Sequence, residues 1–428
     1  MNKNLFILDQ LYDIIEIGQE ISTILFSPEF QRLREVRLIN TNSPTFQTLS
    51  EIRRYSHSIG VYHLAKELNS QFCTSSLRKS YSGFLIGALL HDLGTPPFGH
   101  LFEYLLASIK NWNHERILQD ILQGTYGILK RWHQIYYSKP LKLYEILEKL
   151  HIEPQEIHSY VNGDNIICKL LSSSLDIDNI DNVYRMGWAL NLVQSRNEPL
   201  RIVQSMRLTD NQIQIEESGI NDIRKWITLR EKIYSIISFE GITLSSQAML
   251  TDAFITALVE NQLSVDDWAL TDESIIRKLF ENENTKEIIY RLMTGDYYHL
   301  LYLGWFDAFD LSRPLTNPET RIAVIDELST YLGFEVSMYV FYDKGTFTKR
   351  VEFPIFNSNN QLVRLSEESK STIISIFGKR KNRITQETKN QINIYLEKYG
   401  LNQKNLKPIP KIEEIYGYKS QGEFSFTD

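Results

Sequence analysis

The densest chemistry in the chain is the run Leu89-Leu90-His91-Asp92-Leu93-Gly94, where an imidazole and a carboxylate follow directly on an apolar segment, 83–90. That segment is apolar all round and reads as a central, buried helix. A carboxylate in so dry a setting needs a strong compensating partner, because an unpaired buried charge is expensive. Neighbouring residues on a helix project about 100° apart, so His91 and Asp92 can both reach a cation beside the helix end. An isolated His-Asp pair would more simply cap a turn, but two other segments carry matching donors. In Arg53-Arg54-Tyr55-Ser56-His57-Ser58-Ile59-Gly60 a histidine opens an amphipathic helix on the face of Val61 and Leu64, pointing at the core. In 172–181 three carboxylates, Asp176, Asp178 and Asp181, fall in a helical pattern, and Asp178 and Asp181 share a face at i, i+3. Two histidines and two aspartates make a mixed nitrogen and oxygen set, suited to a divalent Mn, Mg, Fe, Ni or Zn ion rather than to a thiolate metal.

Helical elements must position these groups. A helix is predicted after Ser27-Pro28, another from Ser56, and the apolar one through Leu90 ends by Gly94, with Pro96-Pro97 as a stop. Residues 41–50 read as a loop, 114–150 and 165–195 as helical, 199–216 as a small β-hairpin, and Asn221 to about Tyr302 as helical again. The β-branched and aromatic stretch 336–356, with Asp343-Lys344-Gly345 inside it, predicts a hairpin. The fold class is therefore mainly α, with a small β-hairpin and a smaller C-terminal α/β region. The expected division is 1–304 and 305–428.

The chain has 428 residues, 42% hydrophobic and 23% charged, enough for a sizeable core. Its net charge of −7 argues against coating a nucleic acid duplex, which needs a basic footprint. Cys73 and Cys168 are the two cysteines, too few for a disulfide framework, and this points to a reducing compartment. The N-terminal residues mix acids into their apolar positions and show no signal-peptide pattern. No uninterrupted apolar run approaches the roughly 20 residues of a membrane span. A cytoplasmic protein with no membrane partner is expected.

The order His57, His91-Asp92, Asp178 resembles the signature of the HD-domain metal-dependent phosphohydrolases. More narrowly, the sequence is similar to the deoxynucleoside triphosphate triphosphohydrolases, the bacterial dGTPases and the vertebrate SAM-and-HD-domain dNTPase. Matching stretches follow in order: 30–34, 54–61, 91–94, 97–100, 112–115, 249–253 and 270–272. The resemblance implies an HD-domain helical core and a divalent metal held by His57, His91, Asp92 and Asp178. It implies a catalytic His114, with Glu115 and Glu103 orienting it, and substrate contacts from Arg54, His100 and Asn182. It also implies a nucleotide substrate and a homo-oligomer, a dimer or tetramer.

The pattern departs from the family where the nucleotide is held. Thr95 stands in place of a pocket histidine, and the family's substrate-holding Tyr and Asp fall on Asn182 and Met186. The chain between Tyr234 and Met249 looks shortened, leaving no evident arginine for the terminal phosphate. The favoured expectation is hydrolysis of a deoxynucleoside triphosphate to nucleoside and triphosphate. The rivals are a phosphodiesterase or nuclease acting on single strands or a signalling nucleotide, and a weakly catalytic nucleotide-sensing oligomer.

Overall fold

The computed structural model describes residues 4–40, 43–72, 75–110, 112, 114–125, 142–163, 165–209, 212–307, 315, 317–345, 347, 349–356, 361–380 and 385–411. Within 75–76, at 109, 114–115 and at 343–344 it describes the backbone alone. Helices dominate, and the sheets are small and antiparallel. The chain begins with a hairpin, Leu5–Asp9 against Asp13–Ile17, which the sequence reading did not resolve because its alternation is only five residues long on each side.

Three helices frame the site: Arg54–Glu67, Ser75–Leu90 and Ile177–Ala189. The first is pinned at its start, where Arg54 N donates to Val36 O and Leu38 N to Ile52 O, both at 2.9 Å. It also approaches the Ile177–Ala189 helix closely at Gly60. A Cβ there would stand 2.0 Å from Asp181 Oδ1, so only glycine lets the two helices meet. Helix Ser75–Leu90 stops at Leu90, and His91 to Gly94 form a turn rather than its last residues. The helical projection expected for His91 and Asp92 is thus replaced by a turn closed by Leu93 N to Leu90 O and Thr95 N to Asp92 O.

Other boundaries moved for identifiable reasons. Part of 41–50 is helical, Pro44–Phe46 and Gln47–Ser50, since Ser43 caps it through Thr45 N. Within 199–216 the first part is a helix, Glu198–Gln204, and only Met206–Leu208 and Ile213–Ile215 pair. A separate helix, Pro154–Asn162, precedes the one carrying Asp178, which begins at Ile177 rather than near 165. Helix Gly241–Val259 is long and apolar enough by composition to cross a membrane, yet 78% of its most apolar stretch is buried inside the protein. It is a core helix, packed in the same cluster as Leu64, Phe102 and Trp268.

The C-terminal sheet runs in the order Leu406–Lys407, His299–Phe306, Lys370–Gly378, Val336–Lys344. Its strand His299–Phe306 lies in a stretch read as the end of the helices and crosses position 304. The expected hairpin over 336–356 does not form. Val336–Lys344 pairs with Lys370–Gly378, and Val351–Pro354 pairs instead with Leu362–Ser366. Gly345, at φ +89°, ends the first strand, but the chain leaves the sheet there instead of folding back on it. Helices Pro318–Leu332 and Gln386–Glu397 cover one face of the sheet through Val324, Leu328, Ile392 and Leu396.

Candidate metal centre

The four side chains singled out by type and spacing converge. His57 Nε2 lies 2.9 Å from Asp178 Oδ1 and 3.7 Å from Asp92 Oδ2, and His91 Nε2 lies 3.7 Å from each of those oxygens. The two imidazole rings meet edge-on, centroids 5.3 Å apart. Neighbouring donors that share one ion at about 2.1 Å stand roughly 3.0–3.4 Å apart, and the donor atoms of His57, His91 and Asp92, all within 4.8 Å of one another, could hold a single small cation, with Asp178 Oδ1 beside the two imidazoles. A second observation favours it. His91 Nδ1 donates to Ala88 O at 2.9 Å, which turns Nε2 toward the cluster, and that nitrogen is buried without a hydrogen-bond partner. A ring held through one nitrogen with the other aimed at a cluster of carboxylates is how proteins orient a metal ligand.

His57 is held in the same way by Asp181, whose Oδ2 accepts from Nδ1 at 2.7 Å. Asp181 is in turn gripped by Arg185 Nε and Nη2 (2.9 and 3.0 Å), and Arg185 Nη1 reaches Asp9 at 2.9 Å. Asp181 thus orients the His57 ring, and its own oxygens are taken up by His57 and Arg185. Burial pulls the His57 imidazolium toward losing its proton, but the hydrogen bonds to Asp178 and Asp181 outweigh it and push the pKa up to about 9. Asp178 sits well below the usual carboxylate range: burial opposes its charge, and the two imidazoles more than restore it. Asp92 is likewise lowered, against its burial, mainly by Arg54. A concentration of anionic oxygens with a retained proton marks a place that attracts positive charge.

Arg54 Nη1 donates to both oxygens of Asp92 at 2.7 Å, and Thr95 Oγ1 donates to Oδ1 at 3.1 Å. Arg54 therefore braces Asp92 as well as facing the cavity. Gly99, at φ +49°, lets the Pro97-Phe98-Gly99-His100 turn pass close by: a Cβ there would stand 3.0 Å from Arg54 Nη2. Asp272 holds this turn by accepting from Phe98 N and Arg37 N, both 2.9 Å. Arg32 holds the preceding one, donating to the carbonyls of Leu93, Thr95, Leu270 and Trp268.

A cavity of about 510 Å³ opens over the cluster. His57, His91, Asp92 and Asp178 line it, together with Arg54, His100, Glu103 and Asn182. His100 is 88% exposed in its side chain, and its Nδ1 stands 2.9 Å from Glu103 Oε2. Asn182 Oδ1 is buried without a partner. His114 and Glu115 open the helix His114–Leu122, but their side chains lie outside the described residues. Met186 is fully buried in the core, away from the lining. One expectation needs correcting: the pocket does hold a second arginine. Arg230, on helix Ile220–Phe239, lines the cavity and donates to Asn179 Oδ1 at 2.9 Å, beside Asp178. Helix Ile220–Phe239 ends at Glu240, whose carboxylate caps the next helix, Gly241–Val259. Arg230 was legible as a charge in the apolar stripe of Trp226, Ile233 and Tyr234.

The HD domain family model matches residues 54–162. The chain carries an HD domain. Three of the four donors fall within that HD domain, and Asp178 comes from the helix that follows it. Beyond it, the chain is 25% identical over 390 residues to the Uncharacterized protein YwfO of Bacillus subtilis, covering 82% of this chain and 84% of that one. It is 23% identical over 437 residues to the Deoxynucleoside triphosphate triphosphohydrolase SAMHD1 homolog of Dictyostelium discoideum, covering 94% and 81%. A solved hypothetical protein from Aquifex aeolicus superposes with a TM-score of 0.61 at 18% identity, over 91% of this chain and 100% of that one. The HD domain and its His-His-Asp cluster mark a metal-dependent hydrolase superfamily.

Proposed function

We propose that the protein is a metal-dependent phosphohydrolase that cleaves a deoxynucleoside triphosphate to nucleoside and triphosphate. One observation carries the reading: two arginines, Arg54 and Arg230, flank the donor cluster inside one cavity, each one hydrogen bond from a metal ligand or its neighbour. The Dictyostelium relative, named for this activity, supports the narrower choice of substrate. The bound ion would be held by His57, His91, Asp92 and Asp178, and would supply the Lewis acidity that lets water attack phosphorus near neutral pH. Arg230 offers phosphate oxygens a guanidinium fork, and Arg54, whose Nη1 is held by Asp92 and Nη2 by the Leu38 carbonyl, adds positive charge beside them, which holds the chain of phosphates against the ion site. His114 delivers a proton to the departing oxygen, with Glu115 and Glu103 setting its orientation, while His100 and Asn182 contact the substrate. The working form is a homo-oligomer, a role for which the exposed apolar side chains Phe6, Leu8 and Ile14 of the N-terminal hairpin are suited.

The test is product identity. Purified protein is incubated with Mn²⁺ and a panel of dNTPs, NTPs and labelled single strands, and phosphorus NMR follows the products. Free triphosphate from dNTPs, absent with Asp92→Ala, is the expected result. Shortened strands, or tight nucleotide binding with no turnover, would overturn it.

A further inference from the structure

The cavity has a wall that the metal chemistry leaves unused. Asn40, Gln247, Tyr339 and Phe341 all line it, and none of them bonds a metal ligand among the described residues. Tyr339 and Phe341 are two apart on the strand Val336–Lys344, so they share a face. That strand packs along helix Gly241–Val259, which carries Gln247 to the same wall. The Phe341 ring is fixed edge-on to Phe347, centroids 6.2 Å apart at 87°. Gln247 Nε2 donates to Asn40 Oδ1 across 3.4 Å. This bond leaves Gln247 Oε1 as an acceptor and Asn40 Nδ2 as a donor, neither sealed from the cavity nor otherwise hydrogen-bonded among the described residues. Turning both amides over would still present one donor and one acceptor.

The geometry points to a nucleobase subsite, in which the aromatic wall meets the face of the base and the Asn40–Gln247 pair reads its edge. Aromatic rings accept any base by stacking, and an adjacent donor and acceptor complement the adjacent acceptor and donor on a base edge. A phosphate-only ligand would call for cations, and these four residues supply none. The subsite rests on the nucleotide reading of the metal centre and adds what selects the substrate: a base is required, and the amide pair ranks the bases.

Nucleosides without phosphate isolate this contact from the metal centre. The four common 2′-deoxynucleosides are titrated calorimetrically into the full chain without metal, and Mn²⁺ affinity is measured for each variant. Saturable binding is expected. Phe341→Ala and Phe341→Leu should each weaken it about tenfold, and Gln247→Ala should flatten the ranking among the four. Mn²⁺ affinity stays at the wild-type value in all three. No saturable nucleoside binding, binding indifferent to Phe341, or a parallel loss of Mn²⁺ affinity would each overturn the subsite. Nucleoside binding by a wild type that releases no triphosphate from any dNTP would leave the subsite standing and remove the proposed reaction.

Discussion

At the scale of single residues, the four-donor cluster depends on side chains that lie behind it. Asp181 holds His57 through Nδ1 and is fixed by Arg185 across a buried, charged contact. Asp181→Asn keeps the shape but weakens the grip on the ring and leaves Arg185 short of a counter-charge. We expect Mn²⁺ affinity to fall about 10–100-fold, measured by competition with a fluorescent chelator, and unfolding to move to lower denaturant. Arg230→Gln should raise KM for nucleotide roughly tenfold with a smaller change in kcat, since a charged hydrogen bond contributes about 1.5–3 kcal/mol. Steady-state kinetics on the preferred dNTP read this directly, and an unchanged KM would remove Arg230 from the phosphate site. The four donors were legible because His and Asp in apolar, helical surroundings are costly unless used. Asp181 showed its face but not its role. Arg230 carried no local motif, and only its place in an apolar stripe set it apart.

At the scale of elements, short segments tie distant parts of the chain to the ligands. Arg32 spans the turn after Asp92 and the 268–270 segment with one guanidinium, which lies over the Trp268 ring at 5.2 Å. Arg32→Met leaves several buried carbonyls unpaired and should cost about 3 kcal/mol or more, read as a drop in unfolding midpoint together with loss of metal binding. Lys349, on the chain between two C-terminal strands, reaches Asp176 Oδ2 at 3.2 Å and the Ser173 carbonyl. Asp176 caps the helix of Asp178, accepting from Asn179 N at 2.7 Å. Lys349→Met should loosen that helix start and lower Mn²⁺ affinity severalfold, with Lys349→Arg closer to wild type. The long helices were legible from their apolar spacing, although Arg54–Glu67, expected to be amphipathic, is buried on most of its circumference. The misread elements were short: Glu198–Gln204, whose apolar pairs Pro199-Leu200 and Ile202-Val203 recur at helical spacing, is only seven residues long beside a true hairpin, and the Val336–Lys344 strand found a partner beyond the nearest turn, a choice only the assembled sheet makes.

At the scale of the whole molecule, stability carries a pH signature away from the site. Glu29 is buried where helix Pro28–Gln31 meets the chain at Leu143, whose N–H donates to it at 3.2 Å. Burial pushes its pKa up to about 7 from 4.5, against those hydrogen bonds. In the unfolded chain it releases its proton near pH 4.5, in the fold only near 7, so the folded state binds more protons between. Stability from this group is therefore full below pH 4.5 and lost as pH rises to about 7, a loss of about 3 kcal/mol in total. Glu29→Gln should flatten the fall in urea unfolding free energy over that window, and an unchanged slope would contradict the assignment.

The central claim is that side chains from three separate stretches gather around one divalent ion. Anomalous diffraction at the manganese edge, from crystals grown with Mn²⁺, tests it most directly. The account predicts a single strong peak about 2.0–2.3 Å from His57 Nε2, His91 Nε2, an Asp92 oxygen and an Asp178 oxygen. A peak held by other residues, or no peak at this cluster at saturating Mn²⁺, would contradict it.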